Sequence, residues 1–195
     1  MSDKYPDSSG ILFPNMEVQI VDENDNKLGP NEDGEICVNN GCLWPGYHGD
    51  ESATEEVYDA KEGWYHSGDK GHFDENGYLY IVDRLKEIMK CKGYHVSPTE
   101  IEGVILELQD VVDVCVCGIP DLINMNLPAA MVITTKGSSL KKDEIIKHVE
   151  GKLPHYKHLS GGVYFVDELP RTPSGKIMRR VARFDAEKFY NASKK

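Results

Sequence analysis

"VSPTEIEGVILEL", residues 96–108, decides how the second half of this chain folds. Ser97, then Pro98, then Glu100 three residues after the serine, is the pattern of a helix start. The hydroxyl caps a free amide, proline needs no donor at the first helical position, and the acid can return the bond. Ile101, Val104, Ile105 and Leu108 follow at helical spacing, so one face is apolar and must be covered. The cover is legible on either side. "VVDVCVCGI" (111–119), "PAAMVITT" (128–135) and "GVYFVDEL" (162–169) read as strands. "KKDEIIKHVEGKL" (141–153) reads as a helix with Ile145, Ile146, Val149 and Leu153 on one side. A last helix, from about Met178 to Tyr190, is expected to bury Val181 and Phe184. Alternating helices and strands predict a small α/β layer domain.

Residues 1–83 read differently. In "EVQIVD" (17–22) and "EICVNN" (35–40) apolar and polar residues alternate about a polar stretch, which predicts a hairpin with a long loop. "GHFDENGYLYIVDR" (71–84) repeats the idea, with Asp74 to Gly77 as the turn and Tyr78 to Val82 as the strand. The fold class is therefore α+β: a β-rich piece over 1–83, then a small α/β domain over 84–195.

Charge divides the chain in the same place. The total is −11, but residues 1–83 hold four Lys against nineteen Asp or Glu, for −15, whereas residues 141–195 hold thirteen basic and seven acidic residues, for +6. The acidic total argues against a nucleic-acid partner, and the asymmetry suggests two units meeting near Asp83 and Arg84. The sequence is 39% hydrophobic and 28% charged, and no run approaches the roughly 18 apolar residues of a membrane span. The five cysteines (37, 42, 91, 115, 117) have no disulfide-like spacing and no Cys-x-x-Cys pair, so no metal site is expected and reduced thiols in a cytoplasmic setting fit. Cys115 and Cys117, two apart on a strand, share a face and read as small buried fillers.

Four stretches carry candidate chemistry. In "WYHSGDKGHF" (64–73) Ser-Gly-Asp places Asp69 at a turn, either as a turn-stabilising residue or as a carboxylate able to accept two hydrogen bonds from a vicinal diol. "VDRLKEIMKCKGYHV" (82–96) packs Arg84, Lys86, Lys90 and Lys92 before Gly93, either as a solvated basic edge or as a surface that lets a ligand lie against the backbone. "RTPSGKIMRR" (171–180) puts Lys176 after a Pro-Ser-Gly turn. A P-loop is excluded there, because Pro170 and Ile177 stand where glycine and a hydroxyl are needed.

In this order, "SGD", "DRLKE", "KGYHVSPTEIE" and "PSGKIMRR" resemble the closing motifs of the adenylate-forming superfamily of acyl-CoA synthetases, 4-coumarate:CoA-ligase-like enzymes and beetle-type luciferases. The resemblance covers almost the whole chain. It implies that residues 1–83 are the tail of a large AMP-binding domain and 84–195 a complete small lid domain. It also implies a reaction in which a carboxylic acid and ATP give an acyl-adenylate, which CoA then converts to a thioester. By resemblance Lys176 is catalytic in adenylation; Asp69, Arg84, Lys90 and His95 lie on the ATP or AMP side. Lys92 and Gly93 line the CoA path, and Lys86 is the hinge between half-reactions. Ser67 replaces the family's usual threonine, and His95 its common glutamine.

The phosphate loop, the acyl pocket and the Mg2+ site of that family fall in the large-domain segment preceding these motifs, so the chain alone is expected not to complete adenylation. A non-catalytic, truncated paralogue with a weak AMP or CoA surface, suggested by the Met-Ser start, is the alternative expectation. A cut sheet would expose strand edges and favour self-association. The terminal Ser-Lys-Lys is an incomplete form of a peroxisomal Ser-Lys-Leu address, so a cytoplasmic location is expected.

Overall fold

The computed structural model describes residues 5–41 and 44–194. Cys42, the Met1–Ser2 start and Lys195 of the terminal Ser-Lys-Lys lie outside the described residues. The chain divides into two compact units, Met1–Lys86 and Glu87–Lys195. That division falls beyond the charge boundary at Asp83 because Asp83 and Arg84 still belong to the first unit's sheet, paired with Lys70 and Asp69.

In the first unit, alternation builds the sheet. Strand β1 (Glu17–Val21) pairs antiparallel with β2 (Gly34–Asn39), Val18 opposite Val38 and Ile20 opposite Ile36, the predicted hairpin. A short helix α1 (Glu51–Glu55), capped by Asp50, leads to β3 (Tyr58–Asp59). Strand β4 (Trp64–Phe73) is the spine: it pairs with β2, with β3 at its start, and with β5 (Leu79–Arg84) along its second half. The turn between β4 and β5 forms as predicted, with Gly77 N–H donating to the Asp74 carbonyl at 3.1 Å.

Ser67-Gly68-Asp69 departs from expectation. It lies inside β4 rather than at a turn between strands. Two steps along β2, from Glu35 to Cys37, match four along β4, from Lys70 to His66, so the extra residues are accommodated as a bulge. Gly68 at φ +71 makes this conformation cheap, since a side chain there would strain the backbone.

The second unit opens with a small antiparallel hairpin, β6 (Met89–Cys91) and β7 (Tyr94–Val96). Helix α2 (Pro98–Leu106) starts where the sequence predicts, with Ser97 Oγ accepting from Glu100 N–H at 3.3 Å. The Glu100 carboxylate is engaged by Lys157. Strands β8 (Val111–Asp121) and β9 (Met125–Thr134) form an antiparallel pair. Helix α3 (Lys142–Lys152) and a 3-10 turn (His155–Lys157) then bring the chain to β10 (Gly162–Phe165), parallel to β9, and helix α4 (Arg179–Ser193) closes the unit.

The sheet order is β10-β9-β8, covered on both faces. Val114, Val116, Ala130, Val132 and Val163 meet Ile101 and Ile105 of α2 and Ile145 and Val149 of α3. Each of those four helix side chains is fully buried, a contribution of roughly 1.5–3 kcal/mol apiece. On the other face Cys115, Cys117, Ile119, Ala129 and Met131 meet α4. Cys115 and Cys117 act as the expected fillers, and burial pushes both thiols up to about 12.

The expectation for α4 itself is corrected. Val181 and Phe184 are exposed, at 41% and 60%, and the helix instead buries Ala182 and Ala186 completely. Small side chains let the helix lie close on a face already filled by sulfur and methyl groups, whereas larger ones there would overpack it. No helix among the described residues is long and apolar enough to cross a membrane.

Candidate functional site

In the first unit the bulge sets Asp69 directly opposite Arg84 in the β4–β5 ladder. Arg84 Nε stands 3.3 Å from Asp69 Oδ1, and the arginine side chain is 67% exposed against 29% for the aspartate. Gly68 N–H donates to Glu35 Oε1 at 3.0 Å, Asp69 N–H to Ser67 Oγ at 3.1 Å, and Leu85 N–H to the Gly68 carbonyl at 2.8 Å. The backbone carrying Asp69 is thus pinned from both neighbouring strands. Its Oδ2 makes no hydrogen bond among the described residues, leaving an acceptor beside an exposed guanidinium. Lys86, two residues past β5, is exposed in the turn that ends the unit.

In the second unit the β6–β7 hairpin groups four of the predicted residues. Lys90 pairs with His95, and Lys92-Gly93 is the connecting turn; all four are exposed while Met89, Cys91 and Val96 beneath them are buried. Lys92 at φ +51 and Gly93 at φ +84 make a two-residue loop of the kind whose twist matches a hairpin. A Cβ built on Gly93 would meet nothing within 4 Å, so the turn presents open backbone. The hairpin is fixed to the turn after β8 and to the start of β9: Lys92 N–H donates to the Asn124 carbonyl at 3.0 Å and Asn126 Nδ2 to the Lys90 carbonyl at 2.9 Å. The sequence reading of 82–96, a solvated basic edge or a ligand-facing surface, did not include the hairpin; the Lys-Gly pair between short apolar positions is the signal for it.

Lys176 sits on a separate hairpin. Thr172 N–H donates to the Lys176 carbonyl at 2.8 Å, Lys176 N–H to Thr172 Oγ1 at 3.1 Å, and Met178 N–H to the Pro170 carbonyl at 2.8 Å. The Arg171 guanidinium clamps the loop, binding the Gly175 carbonyl and the Asp113 carboxylate of β8. Lys176 itself is exposed, and its ammonium has no hydrogen bond or ion pair among the described residues.

Arg179, three residues on, behaves oppositely. Its side chain is only 18% exposed, pairs with Glu87 at 2.9 Å and with Glu102 of α2, and donates to the Val116 carbonyl at 2.7 Å. Glu102 in turn accepts from Val116 N–H at 2.7 Å. Burial works to lower the Arg179 pKa, but the hydrogen bond and charge of Glu102 outweigh it and push it up. This arginine is a structural rivet joining α4, α2 and β8. No pattern in "KIMRR" separates it from Arg180, which is exposed.

Residues 100–176, ending on that exposed lysine, match the model of the AMP-binding enzyme C-terminal domain. Over those residues the chain matches the C-terminal domain of the AMP-binding enzymes. It is 42% identical over 182 residues to luciferin 4-monooxygenase of Luciola mingrelica, covering 93% of this chain and 33% of that protein. It is 40% identical over 174 residues to a probable 4-coumarate–CoA ligase of Dictyostelium discoideum, covering 89% and 31%. Among solved structures, ATP-bound MatB from Rhodopseudomonas palustris superposes with a TM-score of 0.87 at 28% identity, over 95% of this chain and 37% of that one. The chain thus spans about a third of the length of the curated relatives it matches.

The residues present fit a nucleotide in one respect that the geometry makes explicit. Asp69 offers an open carboxylate oxygen, and Arg84 beside it an exposed cation. They do not fit Mg2+. Among the described residues the one set of three close metal-ligating side chains is Glu35, Cys37 and His66. Its thiol and imidazole suit softer ions than magnesium. That cluster was also missed from sequence, because its members are up to 31 residues apart and meet only through strand pairing.

Proposed function

We propose that this chain serves an ATP-dependent carboxylate–CoA ligase, residues 1–83 as the tail of its large domain and residues 84–195 as its small domain. The observation that carries the reading is Lys176: a cation without a partner among the described residues, on a loop held by Arg171, Thr172 and Pro170. ATP and the acid supply the reacting bonds: a carboxylate oxygen bonds to the α-phosphorus as the bond to pyrophosphate breaks. The Lys176 ammonium meets the negative charge that gathers on the oxygens around phosphorus, and a preformed loop means little reorganisation is needed at that moment.

Asp69 accepts hydrogen bonds from the ribose diol through Oδ2, while Arg84 holds Oδ1 and turns its own charge toward phosphate. Lys86 is the pivot about which the small domain exchanges faces between half-reactions, because pyrophosphate must leave before a thiol can approach the same carbonyl. After that exchange Lys90 and His95 face the adenylate, and the open backbone at Lys92-Gly93 lies along the pantetheine of CoA.

ATP–pyrophosphate exchange tests the reading. The 195-residue chain alone should show none, and the same chain fused behind the large domain of a relative should show exchange that Lys176→Ala lowers about 10²–10³-fold. Robust exchange by the chain alone would overturn the claim that it needs a large domain. Normal exchange by the Lys176→Ala fusion would remove the role given to Lys176. If the fusion is silent, calorimetry with AMP and CoA separates a retained binding surface from none.

A further inference from the structure

The bulge that aims Asp69 also turns three ligand-bearing side chains of β2 and β4 toward one point. Cys37 faces His66 across the ladder, and the two extra residues in β4 bring Glu35 to the same place. His66 Nδ1 lies 3.0 Å from Glu35 Oε2 and 3.4 Å from Cys37 Sγ, and the three donor atoms lie within 4.8 Å of one another. With Nδ1 between a carboxylate and a thiol, three atoms that can each ligate a metal converge on one position.

A tetrahedral zinc ion, with bonds of about 2.0 Å to nitrogen and oxygen and about 2.3 Å to sulfur, places N and O about 3.3 Å apart and N and S about 3.5 Å apart. The two separations from His66 Nδ1 differ from those by tenths of an ångström, and the carboxylate oxygen and sulfur, within 4.8 Å of each other, close onto an ion by a small side-chain rotation of Glu35. We propose that Glu35, Cys37 and His66 form a binding site for a zinc-class divalent cation, with the fourth position left to water or an outside ligand.

Access agrees with this assignment. The His66 and Glu35 side chains are 30% and 21% exposed, whereas Cys37 is wholly buried, so the ion enters past imidazole and carboxylate onto a thiol floor. Without a metal, burial and then the charge of Glu35 push the Cys37 thiol up to about 12. A dication bound at the cluster would oppose both effects by its own charge and hold the sulfur as a thiolate. The S–H proton leaves to solvent as the metal–sulfur bond forms, Nδ1 takes the metal, and Nε2 keeps the ring proton. Glu35 Oε1 meanwhile holds Gly68 N–H at 3.0 Å, so an ion on the cluster stiffens the segment that carries Asp69. The site stands on the geometry of the first unit and does not require the adenylation reading.

Cobalt titration of the metal-free 195-residue chain tests the proposal, with thiolate-to-cobalt charge-transfer absorption reporting a metal–sulfur bond. One cobalt per chain, displaced by zinc, is expected. The band should vanish in Cys37→Ser and persist in Cys117→Ser, which alters an equally buried thiol outside the cluster. His66→Gln and Glu35→Gln, at partly exposed side chains, should weaken binding by more than roughly tenfold, the lower end of what even outer-shell changes do to metal affinity. These two decide the matter should Cys37→Ser fail to fold. No thiolate band at saturating cobalt, a band that survives Cys37→Ser, or affinity unchanged in both His66→Gln and Glu35→Gln would each overturn the site.

Discussion

Lys176 and Arg179 lie three residues apart in one basic stretch, yet the structure treats them in opposite ways. Lys176 is exposed on a clamped loop with no partner among the described residues, and Arg179 is enclosed by Glu87, Glu102 and the Val116 carbonyl. The difference teaches where a positive charge can serve chemistry. A cation already neutralised by two carboxylates has little left for a developing anion, while a free one on a rigid support does.

The comparison breaks most directly at Lys176. In a full-length enzyme carrying this chain, Lys176→Ala should lower acyl-adenylate formation about 10²–10³-fold, the usual cost of losing one transition-state donor. The same change should leave urea stability within about 0.5 kcal/mol, as for other exposed sites. Arg179→Ala should do the reverse: a loss of about 3 kcal/mol in urea unfolding, because removing one partner strands Glu102 half-enclosed. If Arg179→Ala were silent in stability, the rivet would be an ordinary surface pair.

Arg171 sharpens the contrast, since it is partly exposed but holds the loop of Lys176. Arg171→Ala should cost only about 0.5–1 kcal/mol of stability. Adenylate formation should nevertheless fall roughly tenfold, because a loosened loop misplaces the ammonium. Equal losses in both measurements would deny it that positioning role. The smallest effect is expected on the outer face of α4, where Val181→Ser and Phe184→Ser should each shift unfolding by no more than about 0.5 kcal/mol. A larger loss would mean that face is covered in solution.

Much of this was written locally. The capped start of α2, the buried pairs Ile101/Ile105 and Ile145/Val149, and the Asp74–Gly77 turn follow from spacing and turn chemistry, and the structure reproduces them. Local rules failed where a partner distant in sequence decided the outcome. Helix α4 has larger apolar residues on its exposed side, and only the filled sheet face beneath it made Ala182 and Ala186 the buried pair.

The sequence by itself determined the capped helix α2, the strands β8 to β10, their order and the likeness to adenylate-forming enzymes, because hydrophobic period, caps and short motifs act over a few residues each. Tertiary structure alone decided which charges are free, that Ser67-Gly68-Asp69 is a bulge rather than a turn, and that Glu35, Cys37 and His66 meet. Those outcomes depend on register between strands and on what lies across an interface, and neither is encoded at the spacing of neighbouring residues.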